Sequence, residues 1–489
     1  MKRILCFFFS IFITLSFLAF PALAKPDWPS DTGIQSEAGI VTDMDSGAVL
    51  FGQNIHKQMA PASITKLLTA LVVVENSDLD ALVTFSRDAM LRVDSDSGNK
   101  LDLAEGDVLS VRDCLYVMIL QSSNQTSNAL AEHVAGSIEA FADMMNEKAK
   151  SLGCQESNFV NPSGLHNDAH LTSAYDMAII SRAVFQNETL LEICSTKKAT
   201  LPPTINNPEG RTYQIEHKLV NTEDETSENY YPEAIGGKTG YTLAAGQTLV
   251  TYARRGDRSE IAVTLKSTQK THYSDTKTIL DFGFDRFQNL NVSDNEIDYV
   301  IGNDPVDIGG KSYQPSDLSF DTAAVITLPK EANFTDAQKE LVTELPQDHP
   351  AGAVAKLVYY YNERVIGDAW IYSAAQLAID TAPEPEETLP EPPQPTENGD
   401  LAVPSGTQEP QNQESASGLP PIVIIIGIGA VLLVAVAAAF ILLRKKEQRR
   451  EEERRRLMRE RRRQRLADIG YTEEDFERIL NQRRQEHQE

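Results

Sequence analysis

The chain has 489 residues, of which 41% are hydrophobic and 24% are charged, and its formal net charge is −26 at pH 7. Residues 444–489 carry a net +4, and Lys2 and Arg3 add +2, which leaves −32 for residues 25–421. So acidic an exterior argues against nucleic acid and anionic lipid as partners of this long segment.

The N-terminus has the pattern of a secretory signal peptide. Lys2 and Arg3 precede an apolar stretch at 4–20, and residues 22–24 (Ala-Leu-Ala) form a small-residue cleavage site. We therefore expect residues 1–24 to be removed, so that the mature chain begins at Lys25. An uncleaved membrane anchor is the alternative, because the apolar stretch is long.

The first chemical motif is Ser-Ile-Thr-Lys at 63–66. A serine three residues before a lysine recurs elsewhere in the chain, so its context decides. Here an apolar stretch at 67–74 follows and predicts a buried helix. Ser63 would then lie at the helix N-terminus with Lys66 one turn later on the same face. The amine could reach the hydroxyl, and the free N–H groups of the first turn would point at a developing oxyanion.

The second motif is Ser-Ser-Asn at 122–124, between helix-like segments at 111–120 and 127–134. A short connection between two buried helices would hold Ser122 and Asn124 rigidly, as catalysis requires. A competing match, Ser-Gly-Asn at 97–99, lies in a polar run with no apolar element to support it. The context therefore favours Ser122 over Ser97.

The third motif is Lys-Thr-Gly at 238–240, which leads into an alternating, strand-like run at 247–253. Gly240 would remove a side chain where a substrate backbone has to lie close against the strand. In this order, the three motifs are the working parts of a serine acyl-transfer site.

With these motifs the chain resembles the low-molecular-mass, penicillin-binding D-alanyl-D-alanine carboxypeptidases of peptidase family S11. The similarity spans roughly residues 35–375 and includes 161–165 (NPSGL) and 172–178 (TSAYDMA). It implies a mixed α/β fold, with an antiparallel sheet flanked by helices plus a helical subdomain, then a small β-rich domain and one transmembrane helix. Two positions depart from the family pattern. Ser123 stands where the family usually has Gly or Ala, and Gln125 stands where it commonly has Asp.

The residue types fit the expected chemistry. Ser63 is the predicted nucleophile and Lys66 its general base, because no motif positions a histidine. Desolvation and the like charge of Lys238 would both favour the neutral form of the Lys66 amine. Ser122 can relay the proton to the leaving amine, since a hydroxyl both donates and accepts, and Asn124 can hold the substrate backbone.

Substrate binding is predicted at the third motif. Lys238 and Thr239 would face the free C-terminal carboxylate of the substrate, one as a charge and the other as a hydroxyl donor. By resemblance to the family, backbone N–H groups of Ser63 and Tyr241 complete the oxyanion hole next to Gly240.

The implied reaction removes the terminal D-alanine from peptidoglycan stem peptides ending in D-Ala-D-Ala, and β-lactams should acylate Ser63. A DD-endopeptidase or transpeptidase acting on cross-links would share every motif, and a noncatalytic wall-binding anchor is the alternative from another class. A β-lactamase is disfavoured because no Glu-x-x-Leu-Asn lies within the predicted catalytic domain, residues 25–289. No cofactor and no metal is implied, because His166 and His170 lie in a loop without a third ligand.

The composition changes twice after the predicted catalytic domain, residues 25–289, which is long enough for one large core. Strand-like runs at 323–328 and 355–361 predict a small β-rich domain at 290–380. Residues 381–421 are rich in Pro, Glu, Gln and Ser and predict a disordered linker.

Residues 422–443 are apolar without a charge, and as a helix they would span about 33 Å, enough to cross a bilayer. Basic residues follow at 444–446, which places the catalytic part outside the cell membrane and the tail, 444–489, in the cytoplasm. The basic stretch at 444–465 is either a lipid-bound segment or a solvated charged helix, and the tail has room for an unidentified cytoplasmic partner.

Three cysteines remain after signal removal, Cys114, Cys154 and Cys194. An odd number in an exported protein allows one disulfide with one free thiol, or three buried thiols. The sequence leaves both arrangements open.

Overall fold

The computed structural model describes residues 26–93, 101–300, 304–346 and 349–380. The predicted signal peptide (1–24), linker (381–421), transmembrane segment (422–443) and tail (444–489) lie outside these residues, as does the competing match at 97–99. None of the helices in the described ranges combines the length and the apolar character needed to cross a membrane.

The described chain contains both strands and helices. The strands are β1 (Ala38–Asp43), β2 (Val49–Gln53), β3 (Leu82–Thr84), β4 (Val108–Ser110), β5 (Lys198–Leu201), β6 (Arg211–Gln214), β7 (Ala234–Thr242), β8 (Gly246–Arg255), β9 (Arg258–Ser267), β10 (Phe287–Asn291), β11 (Val306–Ile308), β12 (Lys311–Tyr313), β13 (Leu318–Phe320), β14 (Val325–Pro329), β15 (Gln338–Val342), β16 (Ala353–Tyr361) and β17 (Arg364–Ser373). The helices are α1 (Lys66–Asn76), α2 (Arg87–Leu91), α3 (Val111–Gln121), α4 (Asn124–Ala135), α5 (Ile138–Ser151), α6 (Ala174–Gln186), α7 (Glu188–Ser195), α8 (Lys218–Asn221), α9 (His272–Arg286), α10 (Val292–Asn295) and α11 (Ala374–Asp380).

A five-stranded antiparallel sheet, in the order β2-β1-β9-β8-β7, lies at the centre of the catalytic part. All six residues of β1 are buried, because helices cover both faces of the sheet. Successive side chains of a strand point to opposite faces. Accordingly, Ile40 belongs to the hydrophobic core between the sheet and α6, whereas Val41 belongs to the core between the sheet and α9. The mixed α/β fold expected from the sequence is confirmed.

Helix α1 is the centre of the helical region, and it packs against α3, α4, α5 and α6. Its eight buried positions, 66–73, form a nearly continuous apolar run, as a helix surrounded by other helices requires. The helices predicted at 111–120 and 127–134 are also present, as α3 and α4. Helix α4 begins three residues earlier than expected because Ser123 caps its N-terminus.

The β-rich segment has a core of its own, formed by side chains such as Leu357, Tyr359 and Ile371. Its main sheet has the order β13-β17-β16-β15 and is antiparallel. The strand-like runs at 323–328 and 355–361 are confirmed as β14 and β16. Hydrogen bonds connect this segment to the catalytic part, including Ser46 Oγ with Thr327 Oγ1 at 2.6 Å. The domain boundary near residue 290 stays a prediction.

The three cysteines of the described chain, Cys114, Cys154 and Cys194, are free and buried. Burial raises the pKa of Cys154 and of Cys194 to about 12, and the pKa of Cys114 is raised well above its ordinary value for the same reason. Of the two arrangements left open by the sequence, the structure has the one with three buried thiols.

Candidate active site

A cavity of about 1060 Å³ lies where β7, the turn before α1 and the connection between α3 and α4 meet. Six predicted site residues line it, namely Ser63, Ser122, Asn124, Thr239, Gly240 and Tyr241. The other two, Lys66 and Lys238, are buried, with exposures of 0% and 1%. The fold thus brings the three sequence motifs together at one cavity.

Ser63 does not open the α-helix as predicted. It lies in a 3-10 turn, Ala62–Thr65, and the α-helix begins at Lys66. The turn begins with an unusual backbone conformation, because its first residue, Ala62, has φ +52°. A non-glycine residue in this region costs about 1–3 kcal/mol, and such strain persists only where the surroundings impose it. The strain lies directly beside the predicted nucleophile.

The Lys66 amine is held by three oxygen atoms. Its Nζ donates to Ser63 Oγ at 3.0 Å, to Asn124 Oδ1 at 2.8 Å and to the backbone oxygen of Ser163 at 2.5 Å. If the amine loses one proton, two N–H groups can still donate to Asn124 and Ser163. The lone pair then faces the Ser63 hydroxyl, which is the geometry that a general base requires.

The second motif occupies the short connection between α3 and α4. Ser122 ends α3 with φ +60°, in the left-handed region, and Asn124 is the first residue of α4. Between them, the Ser123 hydroxyl accepts a hydrogen bond from Thr126 N at 3.2 Å. An N-cap of this kind contributes about 1 kcal/mol to helix stability. The serine at the centre of the motif thus has a capping role that glycine or alanine side chains do not have.

The third motif lies on β7, one of the two edge strands of the central sheet. A Cβ atom added to Gly240 would lie 2.8 Å from Ser63 N and would also clash with Thr248 Oγ1. Glycine is therefore needed so that β7 can approach the Ser63 turn, and the close approach of a substrate backbone stays a prediction. The buried Lys238 donates from Nζ to the backbone oxygen of Thr239 at 2.9 Å. Its contact with a substrate carboxylate stays a prediction.

Sequence reasoning missed the loop at 160–165, which supplies one acceptor of the Lys66 amine. Asn161 Oδ1 accepts from Ser163 N at 3.1 Å and from Gly164 N at 2.8 Å, so the side chain fixes the loop from inside. Pro162 O accepts from Thr69 Oγ1 at 2.7 Å, which ties the loop to α1. The only sequence signal for this loop is the NPSGL run at 161–165, which does not by itself indicate a role.

His170 was also missed as part of the site. Val160 N donates to its Nδ1 at 3.1 Å, so the other nitrogen, Nε2, carries the proton and can donate to Thr65 Oγ1 at 3.0 Å. Burial, followed by the charge of Lys66, lowers the pKa of His170 to about 4. The ring is therefore neutral at physiological pH and fastens the Ser63 turn to the loop at 160–165.

The cavity continues past the three motifs to charged and aromatic residues without a sequence signal: Glu216, Lys218, His272 and Tyr273. His217, between the first two, is buried behind β7, and burial lowers its pKa to about 3. A Cβ atom on Gly237 would lie 3.0 Å from the His217 ring. This contact places Glu216 and Lys218 near the beginning of β7.

The family model described as D-alanyl-D-alanine carboxypeptidase, peptidase family S11, matches residues 25–269. The D-alanyl-D-alanine carboxypeptidase DacF of Bacillus subtilis (strain 168) is 32% identical over 299 residues, which cover 59% of this chain and 72% of that protein. The chain belongs to this family. The resemblance inferred from the three motifs is therefore confirmed.

Other members of the family share more of the length. The D-alanyl-D-alanine carboxypeptidase DacD of Escherichia coli (strain K12) is 29% identical over 369 residues, covering 72% of this chain and 90% of that protein. Among solved structures, penicillin-binding protein 6B from Escherichia coli is 25% identical, with a TM-score of 0.51, and the match covers 71% of this chain and 98% of that one. These similarities agree with the mixed α/β fold.

Replacing Gly164 should destabilise the protein more than its backbone conformation alone predicts. A Cβ atom there would clash with Ala62 O and lie 2.9 Å from Thr65 Oγ1, and φ is +81°. Gly153 is a matched control, with φ +96° and nothing within 4 Å of an added Cβ. We expect Gly164→Ala to lower the free energy of unfolding by about 1–3 kcal/mol more than Gly153→Ala, measured by denaturant titration. Equal losses would contradict the packing described here.

The neutral state of His170 should make stability depend on pH. Its pKa is lowered from 6.5 to about 4, so between these values the unfolded chain binds a proton that the native state does not. This contribution to stability is present above pH 6.5 and is lost as the pH falls towards 4. His170→Asn cannot titrate there, so its unfolding free energy should fall less over that window than that of the wild type. Equal slopes for the wild type and His170→Asn would contradict the assignment.

Proposed function

We propose that the protein is a serine D-Ala-D-Ala carboxypeptidase that removes the terminal D-alanine from peptidoglycan stem peptides through an acyl-enzyme on Ser63. The observation that carries this proposal is the 3.0 Å contact between Lys66 Nζ and Ser63 Oγ beside the cavity. A serine hydroxyl is a weak nucleophile without an adjacent base, and an amine at this distance can supply one.

In the first step, Ser63 Oγ attacks the carbonyl carbon of the penultimate D-alanine, and Lys66 accepts the hydroxyl proton. The protonated amine still donates to Asn124 and Ser163, so hydrogen-bond acceptors for the ammonium group are in place before the proton is transferred. Backbone N–H groups of Ser63 and Tyr241 stabilise the oxyanion in this mechanism, in the arrangement that the family resemblance implies.

In the second step, the C–N bond breaks and the proton passes from Lys66 through Ser122 to the departing amine of D-alanine. Lys238 and Thr239 bind the terminal carboxylate, and this charge restricts the reaction to chain ends. Water then adds to the ester carbonyl and releases the shortened stem peptide, which regenerates the Ser63 hydroxyl. A β-lactam would acylate the same serine.

The proposal predicts which serines the reaction needs. The wild-type protein should release D-alanine from diacetyl-L-Lys-D-Ala-D-Ala, and Ser63→Ala should reduce the rate to background. Ser122→Ala should lower kcat by about 10²- to 10⁴-fold, the usual effect of losing a proton-transfer group. Ser97→Ala, at the competing motif, is the control and should retain the wild-type rate.

Three results would redirect the proposal. D-Alanine release that survives Ser63→Ala would overturn the mechanism. Penicillin labelling of Ser63 without any release would move the function to an endopeptidase or transpeptidase acting on cross-links, whereas the absence of both signals would favour the noncatalytic anchor.

We further propose that the protein is exported and anchored, with residues 1–24 as a cleaved signal peptide and 422–443 as a single membrane-spanning helix. The support is the sequence pattern described above, with basic residues at 444–446 after the apolar stretch. The catalytic part would act outside the cell membrane, and the tail at 444–489 would meet any partner in the cytoplasm.

This topology predicts a protease result. Protease added to intact cells stripped of their wall should digest the catalytic part and leave a tag placed after residue 489 protected, whereas permeabilised cells should lose the tag as well. N-terminal sequencing of the purified protein should begin at Lys25. A tag that is cleaved in intact cells would contradict the orientation.

A further inference from the structure

A groove lies between helix α6 of the catalytic part and strand β17 of the β-rich segment. It consists of two adjoining cavities of about 310 Å³ and 300 Å³, which share Arg182, Gln186 and Asp368. Along α6 the lining residues recur every three or four positions, at Tyr175, Ile179, Arg182 and Gln186. Residues with this spacing share one face of a helix, which rises about 16 Å from Tyr175 to Gln186. The groove therefore has room for an extended ligand.

This groove is separate from the active-site cavity. Val49 on β2 lines the groove, whereas the third motif lies on β7, and these strands are the opposite edges of the central sheet. Neighbouring strands are about 4.8 Å apart, so the four steps from β2 to β7 amount to about 19 Å. Among the described residues, none lines both the groove and the active-site cavity. A ligand in the groove would therefore leave the acyl-transfer site open.

Fixed hydrogen-bond donors lie where the two cavities meet. Arg182 donates from Nε to Met44 O at 2.8 Å and from Nη2 to Asp45 O at 2.6 Å, which fixes the orientation of the guanidinium group. Its Nη1 has no acceptor within the described part of the chain, so two N–H groups are left for a ligand. The exposed side-chain amide of Gln186, one turn later, also forms no hydrogen bond to any described residue.

The charges of the lining favour an uncharged ligand. Asp368 pairs with Lys356 at 2.9 Å, Asp321 accepts from a backbone N–H two residues later at 2.8 Å, and Asp45 lies beside Arg182. A polyanion would meet three carboxylates, and like charges across an interface are unfavourable. A cation would compete with the partners that these carboxylates already have. A neutral ligand avoids both costs.

Each cavity also contains an aromatic side chain. Tyr175 lines one and Trp370 lines the other, and both are half-buried. The Tyr175 ring packs against His56 with centroids 4.9 Å apart, and Lys356 Nζ lies 5.0 Å from the Trp370 ring centroid. Both rings are thus held in place before a ligand binds. A pyranose ring has C–H groups on its faces and polar groups around its rim, so it can stack on such a ring and form hydrogen bonds at the same time.

We infer that the groove between α6 and β17 binds the neutral, N-acetylated glycan strands of peptidoglycan. Tyr175 and Trp370 stack on sugar rings, and Arg182 and Gln186 form hydrogen bonds with hydroxyl and acetamido groups. This inference rests on the proposed carboxypeptidase function, because the glycan carries the stem peptides, and it adds a noncatalytic binding site. A second contact raises the effective concentration of attached stem peptides at Ser63, which favours them over free peptides.

Binding is tested by isothermal titration calorimetry of the full-length protein with the hexasaccharide of N-acetylglucosamine, a neutral probe. We expect saturable binding that Trp370→Ala weakens by about ten-fold and Gln186→Ala by about three-fold. Because Gln186 is exposed and its side chain has no described partner, its variant serves even if Trp370→Ala is unstable. The Kd should not change between about 0.05 M and 0.5 M NaCl, since no ion pair forms. Tyr360→Ala, which removes a half-buried aromatic ring of the same sheet outside the groove lining, is the control and should retain the wild-type Kd.

The effect on catalysis is measured as a ratio. D-Alanine release is compared between stem peptides on uncross-linked glycan strands and soluble diacetyl-L-Lys-D-Ala-D-Ala. The ratio of their kcat/KM values should fall about ten-fold in Trp370→Ala and stay at the wild-type value in Tyr360→Ala.

Three results would overturn the glycan groove: no saturable binding of the hexasaccharide by the wild type, equal Kd values for the wild type and both groove variants, or preferential, salt-sensitive binding of polyglycerol phosphate. In each case, D-alanine release from the diacetyl peptide would still uphold the carboxypeptidase. Hexasaccharide binding without release from either substrate would instead count against the proposed function and support the groove.

Discussion

The active site depends on one buried amine. Lys66 is fully buried at the beginning of the central helix, and its Nζ contacts oxygen atoms from Ser63, Asn124 and Ser163. A buried amine without polar partners would be strongly unfavourable, so the fold has to deliver these acceptors together. They come from three separate parts of the chain, which means that the same hydrogen bonds that satisfy Lys66 also assemble the site.

Close backbone approaches allow this assembly. Gly164 lets the loop at 160–165 pack on the carbonyl of Ala62, and Gly240 lets β7 pack on the Ser63 turn. His170 then connects that turn to the loop through a neutral ring. The strained conformation at Ala62 is enclosed by these contacts, so the surrounding packing opposes its relaxation.

The sequence predicts the features whose cause is local. The apolar runs of α1, α3 and α4 could be predicted, and so could the order of the three motifs. Periodicity and short motifs are properties of neighbouring residues. The oxygen of Ser163 that accepts from the Lys66 amine could not be predicted. It is a backbone oxygen 97 residues away from Lys66, and no side-chain pattern marks it. The close approach at Gly240 could not be predicted either, because it involves protein atoms from the Ser63 turn and β8 that are distant in the sequence.

The central claim is that Ser63 is the nucleophile and that Lys66 activates it. Intact-protein mass spectrometry of the covalent penicillin adduct tests this claim most directly, with peptide mapping of the modified residue and a time course for Lys66→Met. We expect the adduct on Ser63, and an acylation rate in Lys66→Met that is lower by about 10²- to 10⁴-fold. An adduct on another residue, or acylation of Lys66→Met at the wild-type rate, would contradict the account.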